Sequence, residues 1–353
     1  MEVVLDKPIL ITGGCGFVGR NVARRMLELG HDVVLIDDLS TGIDPARWLG
    51  ESYHRQTVES GLRGELFSGE RQALFLQEDF LNVVRMSDEN PFNLFSTGYF
   101  DYCFHFAAVV GGRAKIDGDP LAVSRDLALD AEFFRWAVAC QPEHCLYASS
   151  SAAYPTNLQS ETDALMLRED MIDFESGNLG QPDMTYGWSK LTGEYLGRIA
   201  ADQYSLKVVS VRPFSGYGED QEPVYPIPAI ARRAAMKEDP LTIWGSGRQG
   251  RDFVHIDDCV DLMWLAVNKI TDGSAVNIGT EKLTTFLEVA SLFAELAGYE
   301  PEIKPLIDKP VGVHSRYCSI DRARELLGWQ PRISLKEGFE RVLRHVEATP
   351  AVM

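Results

Sequence analysis

The 353-residue sequence predicts an α/β fold, a doubly wound parallel sheet with a smaller mixed α/β lobe. Two observations support this prediction. Short apolar runs alternate with helical patterns through the first 213 residues, which is typical of parallel strands joined by crossover helices. A glycine-rich turn also lies between the first apolar run and the first helical pattern, as in dinucleotide-binding βαβ units.

Six apolar runs are the predicted strands, at residues 8–12, 32–37, 73–77, 101–106, 144–149 and 206–213. The helical patterns between them are at residues 18–29, 120–140 and 185–204. Residues 40–70 are polar and contain glycine, so we expect a loop or a poorly ordered excursion there. Residues 155–184 are acidic and rich in turn formers, and we expect a surface segment over the site.

The character of the chain changes after residue 213, where prolines cluster. Further helices are expected at residues 228–237, 257–269 and 285–297. One more helix ends in the run Leu326–Pro331, where glycine and then proline form an ordinary helix stop. We therefore predict a dinucleotide-binding domain mainly in residues 1–213 and a substrate-binding lobe mainly in residues 214–353, with residues 250–270 returning to the first domain.

The composition excludes several classes of partner. A net charge of −18 disfavours nonspecific binding to nucleic acid or to an anionic membrane, so neither is expected. The six cysteines form no CxxC pair, which suits reduced thiols. We see no signal sequence and no run of about 18 apolar residues, so we expect a cytoplasmic protein. The histidines show no metal-ligand spacing, and no metal site is expected.

The glycine-rich turn at residues 13–19, GGCGFVG, is predicted to bind the pyrophosphate of a dinucleotide. Glycines permit the tight turn and the close approach of the backbone, and the following helix offers free N–H groups to the anion. A carboxylate about 20 residues further on can accept hydrogen bonds from the adenosine ribose, and the second strand ends at such an acid. The predicted cofactor-binding residues of this unit are Gly13, Gly16, Phe17, Val18, Gly19, Asp37 and Asp38.

Tyr186 and Lys190 are the predicted catalytic pair, because a spacing of four residues places both side chains on one helix face. A nearby ammonium and a positive nicotinamide ring favour the phenolate. We therefore expect the pKa of Tyr186 to fall towards working pH, so that the phenol can act as a base. Lys190 can also hydrogen-bond the nicotinamide ribose.

Three serines, Ser149–Ser151, follow a predicted strand at its carboxyl end, where ligands bind in such sheets. One of these hydroxyls can hydrogen-bond the substrate oxygen that Tyr186 deprotonates. The alternative is a serine-rich turn that only caps the strand.

Together these motifs resemble the extended short-chain dehydrogenase/reductases of the nucleotide-sugar epimerase/dehydratase group. The resemblance extends from Ile9 to about Pro331. It is carried by Gly13–Gly19, Asp37, Asp79–Phe80, His105–Ala108, Ser149–Ser151, Tyr186 with Lys190, Arg212–Phe214 and Gly250–Asp258. It implies a Rossmann domain, NAD as the cofactor and an enzyme of nucleotide-sugar metabolism.

The resemblance also implies roles around the cofactor. Asp37 would bind the adenosine ribose and select NAD over NADP. Asp79 and Phe80 would flank the adenine, and Ala107 and Ala108 would line the dinucleotide.

In the substrate site, the resemblance selects Ser150, four residues before Tyr154, as the catalytic hydroxyl. Arg251 would neutralise the substrate pyrophosphate, with a solvated surface arginine as the alternative. Arg316 is either a second phosphate ligand or an ordinary surface residue, and Trp244 either packs beside the nucleotide base or lies in the core. The implied substrate-contacting residues are Gly111, Gly112, Ser151, Ser215, Trp244, Arg251 and Arg316.

The chain departs from the pattern of this group at several positions. Ser151–Ala153 contains no acid to move a second proton, so dehydration is not expected. The pairs Gly111–Gly112 and Tyr154–Pro155 resemble GDP-fucose synthase and GDP-mannose 3,5-epimerase. Those relatives use a cysteine where this chain has Ala152, and the fucose-synthase histidine is absent, with Tyr225 near its place. A 3,5-epimerisation by the same groups is therefore not expected. The usual asparagines are replaced by Asp126 and Ser215.

We predict C4 epimerisation of a GDP- or UDP-linked sugar through a 4-keto intermediate, with Tyr186 and Ser150 moving the C4 hydroxyl proton. The first alternative is an NAD-dependent 4-dehydrogenase or 4-keto reductase of a GDP-linked hexose or heptose. A minor alternative is a nonenzymatic dinucleotide-binding regulator on the same fold. Apolar faces on helices 120–140 and 185–204 predict a homodimer, although burial within one subunit would give the same pattern.

Overall fold

The computed structural model describes residues 5, 7–59, 62–86, 94–109, 111, 117–161 and 164–349. The strands of this part of the chain are β1 (Ile9–Thr12), β2 (Val33–Asp37), β3 (His54–Glu59), β4 (Arg63–Ser68), β5 (Gln72–Gln77), β6 (Tyr102–His105), β7 (His144–Ala148), β8 (Met166–Leu167), β9 (Val208–Pro213), β10 (Ser215–Tyr217), β11 (Leu241–Trp244), β12 (Gly250–Arg251), β13 (Phe253–His255), β14 (Asp272–Ile278), β15 (Thr284–Thr285), β16 (Ile303–Leu306) and β17 (Ser315–Cys318). The α-helices are α1 (Phe17–Glu28), α2 (Phe80–Val84), α3 (Pro120–Val123), α4 (Arg125–Cys140), α5 (Met184–Tyr204), α6 (Pro226–Ala235), α7 (Ile256–Lys269), α8 (Phe286–Leu296), α9 (Asp321–Leu327) and α10 (Leu335–Ala348).

The largest sheet has the strand order β14-β9-β7-β6-β1-β2-β5-β4-β3. Its pairs are parallel except β3 with β4 and β4 with β5. Ile9 and Ile11 pack into the core on one face, and Leu10 packs into the core on the other. Because both faces are covered, the parallel strands are nearly continuous apolar runs. The predicted fold class, a doubly wound parallel sheet, is confirmed.

All six predicted strands lie within two residues of the observed β1, β2, β5, β6, β7 and β9. The helix predicted at residues 120–140 is divided at Ser124 into α3 and α4. The segment 155–184 is less superficial than predicted, because β8 pairs with β17 and Leu167 is fully buried. That pairing joins residues about 150 positions apart, so local composition does not report it.

The loop predicted at residues 40–70 is wrong. Apart from a short 3₁₀ helix at Pro45–Arg47, this region contributes β3 and β4, an antiparallel hairpin that extends the sheet beyond β5. Strand β3 is at the edge of the sheet, and its residues 54–57 are exposed or half-exposed. An edge strand has little apolar surface to bury, so its sequence is polar and resembles a loop.

A second group of elements packs around an aromatic core beyond the main sheet. Helices α6, α8 and α10 enclose it, and the rings of Phe293 and Phe339 stack there with centroids 4.4 Å apart. Strand β14 returns to the main sheet beside β9, and α7 packs against β9 and α1. The division of the chain into two lobes near residue 213 stays a prediction.

Two further findings concern the whole described chain. All six cysteines are free and buried. Among the described residues, no helix has both the length and the apolar character needed to span a bilayer.

Candidate active site

The candidate site lies where the parallel strands β1, β6 and β7 end. They end at Thr12, His105 and Ala148, and the segments that follow converge at one edge of the sheet. Ligands bind at the carboxyl edge of such sheets because the chain diverges there and leaves a crevice.

The glycine turn after β1 is shaped for a close ligand. Gly13 has a φ of +65°, and a Cβ there would lie 2.7 Å from the backbone nitrogen of Ala107. A Cβ at Gly19 would lie 2.2 Å from the carbonyl oxygen of Gly13, so only glycine permits this packing. Gly16 is the N-cap of α1, and Phe17 and Val18 form its half-buried first turn. The free N–H groups of this helix end therefore fit a pyrophosphate.

Asp37 ends β2 beside this turn. Its carboxylate accepts hydrogen bonds from the backbone N–H groups of Cys15, at 2.9 Å, and Leu39, at 2.8 Å. Burial raises the pKa of Asp37, against the lowering effect of these hydrogen bonds. A carboxylate has about four lone-pair directions, so acceptor capacity remains for ribose hydroxyls. Asp38 is exposed and accepts from the Ser40 N–H at 2.9 Å.

The residues predicted to surround the adenine are placed differently from one another. Asp79 is the N-cap of α2, accepts from the Leu81 N–H at 3.0 Å and forms an ion pair with Arg125. The ring of Phe80 is buried, with its centroid 5.6 Å from that of His105. The Phe80 side chain therefore belongs to the core, and a role beside the adenine, which stays a prediction, would fall to its backbone.

Ala107 and Ala108 follow β6 and are half-buried at the same edge. The Ala107 N–H donates to the Thr12 hydroxyl at 3.3 Å, which fixes this segment against β1. The glycine turn, Asp37 and this segment together form a cradle that fits a dinucleotide.

Tyr186 and Lys190 lie one turn apart near the start of α5. The Lys190 ammonium is buried, 5.8 Å from the centroid of the Tyr186 ring and 5.2 Å from that of Tyr147. The Ser150 hydroxyl hydrogen-bonds the Tyr186 phenol and accepts from the Ala152 N–H at 3.1 Å. The structure thus brings together the three residues predicted to be catalytic.

In the protein without its cofactor, burial dominates the charge balance at this pair. Burial raises the pKa of Tyr186 and outweighs the lowering effects of Lys190 and Ser150. In the protein without NAD, the phenolate would lose more solvation than its two neighbours restore. The predicted fall, which includes the effect of the nicotinamide ring, stays a prediction. Burial lowers the pKa of Lys190, but Asp130, Tyr186 and Asp126 outweigh it and the net direction is upwards.

Two buried polar networks support the site and were not predicted. In the first, the Tyr147 phenol donates to Asp130 at 2.7 Å, and His105 lies between Asp130, at 3.2 Å, and Thr12, at 2.7 Å. This network joins β1, β6 and β7 to α4 directly behind Lys190.

The second network joins α5 to the ends of β7 and β9. Glu194 accepts two hydrogen bonds from Arg212, at 2.8 and 2.6 Å, and one from the Ser149 hydroxyl. Arg212 also donates to the Tyr154 phenol at 2.9 Å. A sequence signal for Glu194 does exist, because it continues the four-residue spacing of Tyr186 and Lys190 along one helix face.

A cavity of about 690 Å³ lies beside the catalytic helix, between its N-terminus and the second group of elements. Asp183, the N-cap of α5, lines it, as do the predicted residues Ser215, Trp244 and Arg251. Trp244 is 46% exposed, which excludes a core position. Many of the other lining residues are apolar, including Phe214, Ile227, Ile243, Phe253 and Phe286. Tyr225 also lines this cavity, and burial, with Tyr186 as the next cause, raises the pKa of its phenol to about 12.

Two arginines reach the cavity wall. Arg251 donates to the carbonyl oxygens of Gly250, at 2.7 Å, and Val311, at 2.9 Å. Arg233 donates to the Thr242 hydroxyl at 2.7 Å, and burial lowers its pKa. Arg251 and Arg233 thus bring positive charge to the wall of a largely apolar cavity.

The remaining predicted substrate residues are not part of the described cavity wall. Arg316 forms an ion pair with Asp183 at 2.9 Å and donates to the Gln159 side chain at 2.5 Å. Ser151 is buried in a 3₁₀ helix, Ser151–Ala153, and Gly111 is half-buried. Gly112 lies outside the described residues. Within the described ranges, no group of three or more His, Cys, Asp or Glu residues is arranged to hold a metal.

Comparison with known proteins shows the class of this one. The profile of the NAD dependent epimerase/dehydratase family matches residues 9–279. An uncharacterized UDP-glucose epimerase of Bacillus subtilis is 28% identical over 349 residues, which is 96% of this chain and 98% of that protein. GDP-mannose 3,5-epimerase 1 of Oryza sativa subsp. indica is 26% identical, over 94% of this chain and 79% of its own.

The fold has a counterpart in a crystal structure. UDP-glucose 4-epimerase of Thermotoga maritima, solved with UDP-glucose, superposes with a TM-score of 0.75 and 24% identity, covering 98% of this chain and all of its own.

The chain therefore belongs to the NAD dependent epimerase/dehydratase family, within the extended short-chain dehydrogenase/reductases. It is an enzyme of that family, and NAD is its cofactor. The predicted family, enzyme class and cofactor are confirmed, and the alternative of a nonenzymatic regulator is set aside.

Proposed function

We propose that this protein epimerises a nucleotide sugar at C4 through a 4-keto intermediate. The observation that carries the proposal is the contact of Ser150 with Tyr186, one turn from buried Lys190, at the cofactor edge of the sheet. Homologues described as UDP-glucose epimerases support this reaction class.

The chain's own groups provide the proton chemistry. Tyr186 would take the proton of the C4 hydroxyl and return it after the 4-keto sugar has turned its other face. Ser150 would hold the same oxygen, and Lys190 would stabilise the phenolate. NAD, once bound on the glycine turn with Asp37 at its ribose, would supply reversible hydride chemistry at the sugar carbon and a positive charge that favours the phenolate.

The composition of the turn after β7 favours C4 over other positions. The residues that follow Ser150 are Ser151, Ala152 and Ala153, and none of these can move a second proton at neutral pH. This turn therefore provides no acid or base in addition to the Tyr186–Ser150 pair.

The cavity supports a nucleotide diphosphate as the carrier of the sugar. Its volume is within the range of small-molecule sites, at about 300–1,000 Å³. The exposed Trp244 ring offers a stacking surface for a base, and Arg251 and Arg233 offer donors to phosphate oxygens. In a protein of net charge −18, such local cations are what would attract a dianionic pyrophosphate. The nucleotide is proposed to be UDP or GDP.

The test uses the purified holoenzyme with UDP- and GDP-linked hexoses, heptoses and hexuronates, each followed at C4 by proton NMR. Epimerisation is expected with no added oxidised or reduced partner. Tyr186→Phe should lower turnover about 100-fold or more while bound NAD is retained. Tyr204→Phe, at the exposed C-terminal end of the same helix, is the matched control. Unchanged sugars throughout, or full activity in Tyr186→Phe, would refute the proposal.

A 4-dehydrogenase or 4-keto reductase of a GDP-linked sugar is the second candidate, favoured by the likeness to GDP-mannose 3,5-epimerase. It uses the same residues. Turnover that requires stoichiometric NAD or NADH would identify it.

We further propose a cytoplasmic homodimer. Leu121 of α3, Leu127 of α4 and Trp188 and Tyr195 of α5 are exposed, which supports a contact through these helices. Analytical ultracentrifugation should give twice the monomer mass, and a monomer at micromolar concentration would contradict it.

A further inference from the structure

Asp126, in the first turn of α4, is a buried carboxyl group that the proposed chemistry does not use. Its side chain is fully buried. One oxygen accepts from the Val109 N–H at 2.6 Å, and the other has no hydrogen-bond partner in the described structure. A buried carboxylate oxygen without a partner is costly, so this position calls for a physical explanation.

Asp126 lies one helical turn before Asp130. The Asp130 carboxylate accepts from the Tyr147 phenol, whose ring centroid lies 5.2 Å from the Lys190 ammonium. Asp126 acts on the charge of both Lys190 and Tyr186, and Lys190 in turn acts on Asp126. Burial raises the pKa of Asp126 to about 6, although Lys190 and the Val109 hydrogen bond both act to lower it. The titratable groups that act on Asp126 belong to three elements: Lys190 and Tyr186 of α5, Asp130 and Arg125 of its own helix, and Tyr147 of β7. Two further groups contact these neighbours: Asp79 pairs with Arg125, and His105 of β6 contacts Asp130.

We propose that Asp126 is a positioning residue whose buried carboxyl group, one turn before the Asp130–Tyr147 contact beside Lys190, sets the proton affinity of the Tyr186–Lys190 pair. When Asp126 is neutral, Lys190 has one fewer anionic neighbour and its charge acts more fully on the phenol. When Asp126 is charged, its negative charge disfavours the phenolate directly. It also cancels part of the stabilisation that the positive charge of Lys190 gives to the phenolate. The free oxygen lets the carboxyl group gain or lose its proton while the Val109 contact stays in place.

This inference rests on the proposed function only in that Tyr186 is the group whose proton is moved. The first readout is therefore independent of turnover. It is the ultraviolet titration of the Tyr186 phenol in the holoenzyme, obtained as the difference between each variant and the same variant carrying Tyr186→Phe.

Asp126→Asn removes the charge and preserves an oxygen for the Val109 N–H. Asp126→Ser removes the charge and the oxygen at that place. In both variants we expect the titration midpoint of Tyr186 to fall by about 0.5–1 pH unit. The rising limb of the pH–rate profile should move with it. Asp202→Asn, an exposed acid on α5, removes the same charge far from the site and should leave the midpoint unchanged.

Each outcome is decisive. A shift in both Asp126 variants supports the inference. A shift in Asp126→Ser alone means that Asp126 only holds the Val109 segment, and this result overturns the inference. The absence of a shift in both variants also overturns it. If the wild type turns over no nucleotide sugar but the midpoint still falls in both variants, the proposed function fails and the inference about the pair stands.

Discussion

Replacing Glu194 with glutamine should destabilise the fold by about 3–5 kcal/mol, because it leaves the guanidinium of Arg212 buried without its counter-charge. Both side chains of the pair are 2% exposed, and two hydrogen bonds, at 2.8 and 2.6 Å, join them. Glutamine has the same shape as glutamate, so the cost arises from the charge and not from a cavity. One of the two guanidinium donors would then face the amide NH₂ group, which cannot accept a hydrogen bond.

The other hydrogen-bond acceptors of Arg212 cannot replace the lost carboxylate. The Tyr154 phenol accepts from Arg212 at 2.9 Å, and the Glu169 carbonyl oxygen accepts at 3.4 Å, but both are uncharged acceptors. Burial raises the pKa of Tyr154, so the phenol stays neutral at working pH. Arg212 would therefore lose its hydrogen-bonded counter-charge, and only the longer-range interaction with the Glu169 carboxyl group would remain.

The assay is urea unfolding at pH 7.5 and 25 °C, followed by tryptophan fluorescence. Arg212→Met in the Glu194→Gln background should recover much of the lost stability, because it removes the stranded charge. Glu295→Gln, which breaks an exposed ion pair with Lys336, should cause no measurable change. A loss below about 1 kcal/mol in Glu194→Gln, or a double variant no more stable than the single one, would refute the reasoning.

Three further perturbations have defined outcomes. Gly13→Ala places a Cβ 2.7 Å from backbone atoms at a φ of +65°, so it should weaken NAD binding at least about tenfold, as measured by calorimetry. Gly50→Ala, with open space around it, should leave NAD binding unchanged. Asp126→Asn should be more stable than the wild type at pH 8 by up to about 3 kcal/mol, from a folded pKa of about 6 against an ordinary 3.8. A raised carboxyl pKa contributes stability below the ordinary value that is lost as pH rises through about 6. The advantage of the variant should therefore shrink towards pH 4, and a pH-independent difference in melting temperature would contradict this. Arg251→Met should raise the KM for the nucleotide sugar about tenfold or more, with a smaller effect on kcat. The exposed control Arg248→Met should leave the KM unchanged. A KM in Arg251→Met equal to that of the wild type would exclude Arg251 from substrate binding.

The sequence predicted those parts of the structure whose physical cause is local. Strands β1, β2 and β7 are buried on both faces and therefore appear as apolar runs. Gly13 is required by a single turn, and the four-residue spacing of Tyr186 and Lys190 follows from the helix itself.

The parts that were missed depend on contacts between distant residues. Strand β3 is polar because it forms an edge, which is a property of the sheet and not of its own composition. The engagement of Arg316 by Asp183 joins residues 133 positions apart, and spacing alone could not reveal it. A sequence also shows the neighbour that lowers the pKa of Tyr186, Lys190, but not the degree of burial that opposes it.

The placement of α5 explains how one helix serves both catalysis and stability. Tyr186, Lys190 and Glu194 lie on successive turns, and each contacts a different neighbour: Ser150, the Tyr147 ring and Arg212. Close approach is possible because Gly187 has no side chain; a Cβ there would lie 2.3 Å from the Ala152 carbonyl oxygen. That approach brings the phenol to the Ser150 hydroxyl, while the Glu194 ion pair holds the next two turns against β9. The position of the base is thus set by buried polar contacts within the chain, and the substrate has only to reach it.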